Sequence, residues 1–233
     1  MPLLKKGISL IMLFTFGLAA DSFTKDKEKE YNIVAIGDSI TEGGNAFFSY
    51  RCFLSDKLSE AGYHVNFVGS RNRSCHNGKT LRHEGYSGKN AEFLADTLKS
   101  NFKKYPFDIL LIHAGHNHFD YEKPIQGIIT ATENIIRSAR EINPRVIILL
   151  ATVIEAGKLP KYSYIPELNL EIPKIANRLL VRRSPIIIVD QAKGFNWKTD
   201  AITDFVHPNE IGAKKMAEKW FSALTEILEK PNK

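Results

Sequence analysis

The chain has 233 residues, of which 43% are apolar and 25% charged, ordinary values for a globular protein, and its formal net charge is +6. Lysines and arginines are scattered rather than gathered into a stripe, which argues against a nucleic-acid partner; a solvated basic surface accounts for them, with a mild preference for acidic polymers as the lesser alternative. No internal repeat, low-complexity tract or second domain boundary interrupts the sequence.

In chain order, the first twenty residues carry Lys5 and Lys6, an apolar stretch from Ile8 to Leu18, then the small Ala19 and Ala20, the pattern of a cleavable export signal. That stretch is shorter than the ~20 residues of a spanning helix, so a membrane anchor is the weaker reading. Loss of residues 1–20 takes the formal charge from +6 to +4, because Lys5 and Lys6 are the only charged side chains there. Residues 21–30, with Lys25-Asp26-Lys27-Glu28-Lys29-Glu30, read as a charged leader, and residues 31–230 as one domain with ample core. The expected location is secreted or periplasmic, with no membrane span once the signal is gone.

Short β-branched apolar runs then alternate with longer amphipathic stretches. Strands are expected at Ile33–Ile36, His64–Val68, Phe107–His113, Val146–Thr152 and Ile186–Val189, and helices at Phe48–Ala61, Asn90–Asn101, Ile125–Ile142, Pro166–Val181 and Pro208–Leu228. This alternation predicts an α/β fold, a three-layer flavodoxin-like α/β/α sandwich around a five-stranded parallel sheet. In the last helix Pro208 suits the first turn, and Ile211, Met216, Trp220, Leu224 and Leu228 supply an apolar stripe.

Two cysteines occur, Cys52 on the first expected helix and Cys75 in the loop after the second strand. They lack further ligands at a useful spacing for metal, and two free thiols are unusual in an oxidising compartment. A disulfide is the sharper expectation, subject to the Cα separation that a bridge requires.

The chemistry-bearing residues fall where these strands end. Gly37-Asp38-Ser39-Ile40 closes the first apolar run, and Asp204-Phe205-Val206-His207-Pro208 precedes the last helix. Serine needs a base to take its proton, and that base needs a carboxylate to fix its tautomer; Ser39, His207 and Asp204 can fill these roles. Between them, Gly88 in His83-Glu84-Gly85-Tyr86-Ser87-Gly88 offers a backbone N–H, and Asn117 in Gly115-His116-Asn117-His118 offers a side-chain amide. With the N–H of Ser39 they could hold the oxyanion of a tetrahedral intermediate.

On these residues the chain resembles the SGNH branch of the GDSL hydrolases, from about Tyr31 to Trp220. Ser39, Gly88, Asn117 and His207 match the four signature positions and Asp204 the Asp-x-x-His block. The resemblance implies the flavodoxin-like sandwich with strand order 2-1-3-4-5, and ester hydrolysis without metal or organic cofactor. Two positions depart from the pattern: Ile40 replaces the usual leucine, and His118 stands where an aspartate usually braces the loop of Asn117. Tyr50-Arg51, His64 to Ser70 and His83 to Gly88 are similar to the carbohydrate-esterase branch that contains acetylxylan esterases, which implies removal of O-acetyl groups from poly- or oligosaccharide. The alternatives are a lipase-like, lysophospholipase or thioesterase activity on longer acyl chains, or a catalytically silent carbohydrate-binding protein.

Other residues have plainer readings. Asp38 reads as a structural hydrogen-bonding residue. His113, His116 and His118 match no compact metal signature, and no metal site is expected. Aromatic residues crowd the expected loops, Phe47, Phe48, Phe119, Tyr121, Tyr162 and Tyr164 among them; of these loop aromatics, Tyr86, Trp197 and Phe205 are the expected substrate contacts.

Overall fold

The computed structural model describes residues 29–229. The expected export signal, and residues 21–28 of the expected leader, lie outside them.

The chain organises around β1 (Tyr31–Gly37), whose side chains are all buried from Ile33 onward. Successive residues of a strand point to opposite faces, and both faces of β1 are covered. Ile33 and Ala35 pack with Leu54, Leu58, Trp220 and Leu224, which come from α2 (Tyr50–Glu60) and α7 (Glu210–Thr225). Val34 and Ile36 pack with Leu94, Ile135 and Leu168, from α3 (Ala91–Asn101), α4 (Ile125–Ile142) and α5 (Ile165–Arg178). Burial on both faces explains why the strand reads as an unbroken apolar run rather than an alternating one.

On one edge β1 pairs in parallel with β5 (Ile109–His113), followed by β6 (Ile147–Ala151) and β7 (Ile186–Val189). On its other edge it pairs first with β2 (Val65–Phe67), along Tyr31 to Ile33, and then with β4 (Thr80–Gly85), at Ile36 and Gly37. The three-layer sandwich and the expected strand order therefore form, but the sheet has seven strands rather than five. The additions are β4 and β3 (Arg71–Ser74), an antiparallel hairpin. Its strands, Arg-Asn-Arg-Ser and Thr-Leu-Arg-His-Glu-Gly, are too polar to register as apolar runs. A disulfide joins Cys52 of α2 to Cys75 just beyond β3, with Cα atoms 5.7 Å apart.

Two short helices were not foreseen, α1 (Ser39–Glu42) and α6 (Trp197–Asp200). The last helix also starts later than expected. Asn209 is its N-cap, accepting a hydrogen bond from Gly212 N–H at 3.0 Å, while Pro208 precedes the helix and bridges to Ala201. An asparagine accepting from the third residue on is a strong start signal, and it displaces proline from the first turn. Ile211 then falls on the outer face, 59% exposed, whereas Met216, Trp220 and Leu224 are buried. Among the described residues no helix is long and apolar enough to cross a membrane.

This difference within one expected stripe is measurable by urea denaturation. Trp220→Ala, which empties a fully buried site, is expected to cost about 3–5 kcal/mol. Ile211→Lys is expected to lie within about 0.5 kcal/mol of the parent. Equal losses for both would contradict the packing of α7.

Candidate active site

The nucleophile candidate sits where β1 turns into α1. Gly37 is needed there for space rather than for an unusual backbone angle. A Cβ at this position would lie 2.3 Å from both the carbonyl oxygen of His113 and Oγ1 of Thr41, so β1, β5 and α1 can close together only around a glycine. Asp38 caps α1 by accepting from Ile40 N–H at 2.9 Å. Burial pushes the Asp38 carboxyl up, but His116, His113 and the Ile40 N–H outweigh it and hold it below the ordinary value. Ser39 opens the helix, 7% exposed.

Ser39 Oγ lies 2.8 Å from Nε2 of His207, and Nδ1 of His207 lies 2.5 Å from Oδ2 of Asp204. The other Asp204 oxygen accepts from the backbone N–H groups of Val206 and His207, at 2.9 and 3.0 Å. Burial raises the Asp204 carboxyl, yet the His207 ring and these N–H groups bring it below its ordinary value, so it stays ionised. A carboxylate at Nδ1 leaves Nε2 free to accept a proton from the serine. Phe205 adopts a left-handed conformation, φ 59°, which lets the Asp204–His207 segment curl. Phe47 stacks on the His207 ring at 4.1 Å and limits its rotation.

The oxyanion candidates meet at the same place. Gly88 has φ 73°, a conformation that favours glycine. Asn117 donates one amide hydrogen to the carbonyl of Lys89 at 2.9 Å, which orients the side chain and leaves its second hydrogen unused. The missing aspartate brace is replaced: His118 lies 2.9 Å from Glu92 and 3.3 Å from Glu122, through its two ring nitrogens. Ser39, Gly88, Asn117, Asp204 and His207 all line one cavity of about 270 Å³, whose walls also include Lys158, Lys161 and Tyr162.

Two clamps hold the Gly88 segment against α1. Glu42, three residues after Ser39, accepts the Ser87 N–H at 2.6 Å, and its other oxygen meets Arg71 of β3 at 3.0 Å. Buried Arg51 donates to the carbonyls of Thr41 and Glu42, satisfying the end of α1; burial lowers its pKa to about 10. On the far side, fully buried Glu84 accepts from Ser70 N–H and Oγ, Tyr105 Oη, Tyr86 Oη and the Asn101 amide, at 2.6 to 3.1 Å. His83 Nδ1 accepts the Gly85 N–H at 2.9 Å, and burial pushes that ring down to about 3.

The expected substrate contacts are placed elsewhere. The Tyr86 hydroxyl is committed to Glu84, and burial raises it to about 12. Trp197 packs against Gly157 and meets Phe205 edge-on at 5.5 Å, and neither ring lines the cavity. Lys158, Lys161, Glu42 and Arg51 were missed as contributors to the site. Glu42 carried a signal, since it sits one helical turn after the serine and so reaches the same edge of the sheet. Of the histidine cluster, His113 is buried, accepts from Ile154 N–H at 3.3 Å and is pushed down to about 4 by burial. His116 packs edge-on to Tyr162 with Nδ1 3.6 Å from Asp38. Among the described residues no group of three His, Cys, Asp or Glu side chains is arranged to hold a metal ion.

Residues 35–215 match the family described as GDSL-like Lipase/Acylhydrolase. The chain belongs to that family. Membership makes it an ester hydrolase, and Gly37-Asp38-Ser39 lies within the matched residues. Its fold is similar to a carbohydrate esterase family 3 structure from Talaromyces cellulolyticus, with TM-score 0.76 and 25% identity, covering 87% of this chain and 100% of that one. It is also similar to a family 3 carbohydrate esterase from Clostridium thermocellum, with TM-score 0.74 and 27% identity, covering 86% and 98%. In sequence it is 27% identical over 223 residues to a multidomain esterase of Ruminococcus flavefaciens, covering 84% of this chain and 28% of that protein. The chain thus spans just over a quarter of the length of that curated relative.

Glu42 offers a test of the clamp on the GDSL turn. Glu42→Ala is expected to lower kcat on p-nitrophenyl acetate by about tenfold or more with KM little changed if the segment it holds supplies the candidate oxyanion donor Gly88. Glu42→Gln, which keeps an oxygen for Ser87 N–H, is expected to retain more of the rate. A pure KM effect would instead make Glu42 a substrate contact.

Proposed function

We propose that the chain is a secreted or periplasmic serine esterase that removes O-acetyl groups from carbohydrate, without metal or organic cofactor. The observation that carries the reading is the hydrogen-bonded run from Asp204 through His207 to Ser39, opening into a small polar cavity. His207 Nε2 takes the proton of Ser39 as Oγ attacks the acetyl carbonyl, and Asp204 stabilises the imidazolium. The oxyanion accepts from the N–H groups of Ser39 and Gly88 and the free amide hydrogen of Asn117. Collapse expels the sugar oxygen, which takes its proton from His207 and leaves an acetyl-enzyme. Water, deprotonated by His207, then releases acetate, and the serine recovers its proton.

Acetyl is favoured over longer acyl groups by the walls of the cavity. At about 270 Å³ it sits at the low end for small-molecule sites, and Ile40 and Val206 are its only aliphatic lining residues. A long chain gains up to ~0.8 kcal/mol per CH₂ only where methylenes can be buried. Carbohydrate as the alcohol is supported by the family 3 carbohydrate esterases whose fold the chain shares. Export is supported by the Lys5-Lys6, apolar and Ala19-Ala20 pattern and by the Cys52–Cys75 bridge, which suits an oxidising compartment.

A fluorophosphonate probe is expected to label Ser39, and Ser39→Ala and His207→Ala are each expected to remove nearly all turnover in a folded protein. In the same assay kcat/KM is expected to fall steeply from acetyl to butyryl to octanoyl esters. Activity surviving in Ser39→Ala would defeat the mechanism, and a rate that rises with chain length would favour a lipase-like enzyme. For export, mass spectrometry of the native protein is expected to find its N-terminus near Asp21; an intact Met1 terminus in the cytoplasmic fraction would refute the location.

A further inference from the structure

Lys158 and Lys161 both line the cavity that holds Ser39 and His207. Some lysines elsewhere meet a carboxylate, as Lys57 does Glu218 and Lys215 does Asp200. Neither cavity lysine has a carboxylate within ion-pairing distance among the described residues. The ammonium group of Lys161 lies instead over the rings of Phe119 and Tyr162, 4.4 and 5.0 Å from their centroids, contacts that hold it in place while leaving its N–H donors unused. Its backbone is fixed as well, since the carbonyl accepts from Asp120 N–H at 3.1 Å.

The acids nearby are already committed. Asp204, the one carboxylate in the wall, is bound by His207 and two backbone N–H groups. Glu122, which interacts with Lys161 through space, gives its oxygen to His118 and to the Phe119 N–H. Among the described residues, one wall of the cavity therefore carries two ammonium groups that are in no direct ion pair. A neutral sugar ester gives two ammonium groups nothing to pair with; a sugar that carries a carboxylate does. No arginine fork lines the cavity, so the pattern fits a singly charged carboxylate better than a phosphate.

We propose that Lys158 and Lys161 form a subsite for a carboxylate on the glycan, making the preferred substrate an acidic O-acetylated saccharide; this rests on the esterase reading of the Ser39 site. The test compares acetate release from O-acetylated polygalacturonate with release from the same polymer after methyl esterification of its carboxylates, with p-nitrophenyl acetate as a neutral reference. At low salt kcat/KM is expected to be roughly 1.5-fold to fivefold higher on the charged polymer, the range for an exposed charge pair, with the difference lying in KM. In Lys158→Gln/Lys161→Gln the ratio is expected to fall to about one. Salt at 0.5 M is expected to shrink it in the parent, a second readout should the double variant misfold. Equal rates on the two polymers, a preference that survives the double variant, or one indifferent to salt would each overturn the subsite. A parent enzyme inactive on p-nitrophenyl acetate and on both polymers would overturn the esterase reading itself.

Discussion

Strand β1 has neither a free edge nor a free face, and the rest of the molecule is arranged around that constraint. Its two edges are taken by β2 and β4 on one side and β5 on the other, and its two faces by separate helical layers. A strand enclosed in this way has one exit, at its carboxyl end, where open parallel sheets assemble their sites. The residue at the exit must let the His113 carbonyl of β5 and the Thr41 side chain of α1 close against the backbone of β1, which leaves no room for a Cβ. Gly37 meets that requirement, and the position of Ser39 follows from it.

Buried ionisable groups surround the exit. Glu84 has five hydrogen-bond donors and Arg51 two carbonyl acceptors, which offset part of the cost of burying their charges. Each of these groups fixes a segment that lines the cavity: Arg51 fixes α1 with Ser39, and Glu84 fixes the turn before Gly88. Rigidity of this kind matters because preorganised donors act where negative charge develops and need not reorient as it forms.

The sheet core, and the candidate residues that the fold brings together at Ser39, Asp204 and His207, were legible in the sequence because each leaves a local signature. Ile186–Val189 and Ile125–Ile142 are bounded as their apolar periodicity suggests. The β3–β4 hairpin was not, because Arg71 and Arg73 share the face of their partners His83 and Leu81, and Arg82 interrupts β4 between them, so no apolar run or alternation stands out. Its one overt mark is Asn77-Gly78 at the turn, where Gly78 has φ 82°. Tyr86 and Trp197 lie in loops close to the motifs yet do not line the cavity, because the direction of a side chain is set by its partners, Glu84 and Asn101 for the first and Gly157 for the second. Cavity walls such as Lys158 and Lys161 come from a loop with no motif of its own.

The contact between Ser39 and His207 spans 168 positions of the chain. It can form only after all the strands have been made and the segment ahead of α7 has docked beside α1, since Phe48 N–H binds the carbonyl of Pro208 there. During synthesis from the amino end, a chain could bury most of its sheet and still present a serine with no base beside it. The contact is thus closed by a segment that emerges after every strand of the sheet, and the pairing of Ser39 with His207 is a late feature of the growing domain rather than one that Ser39 carries from the start.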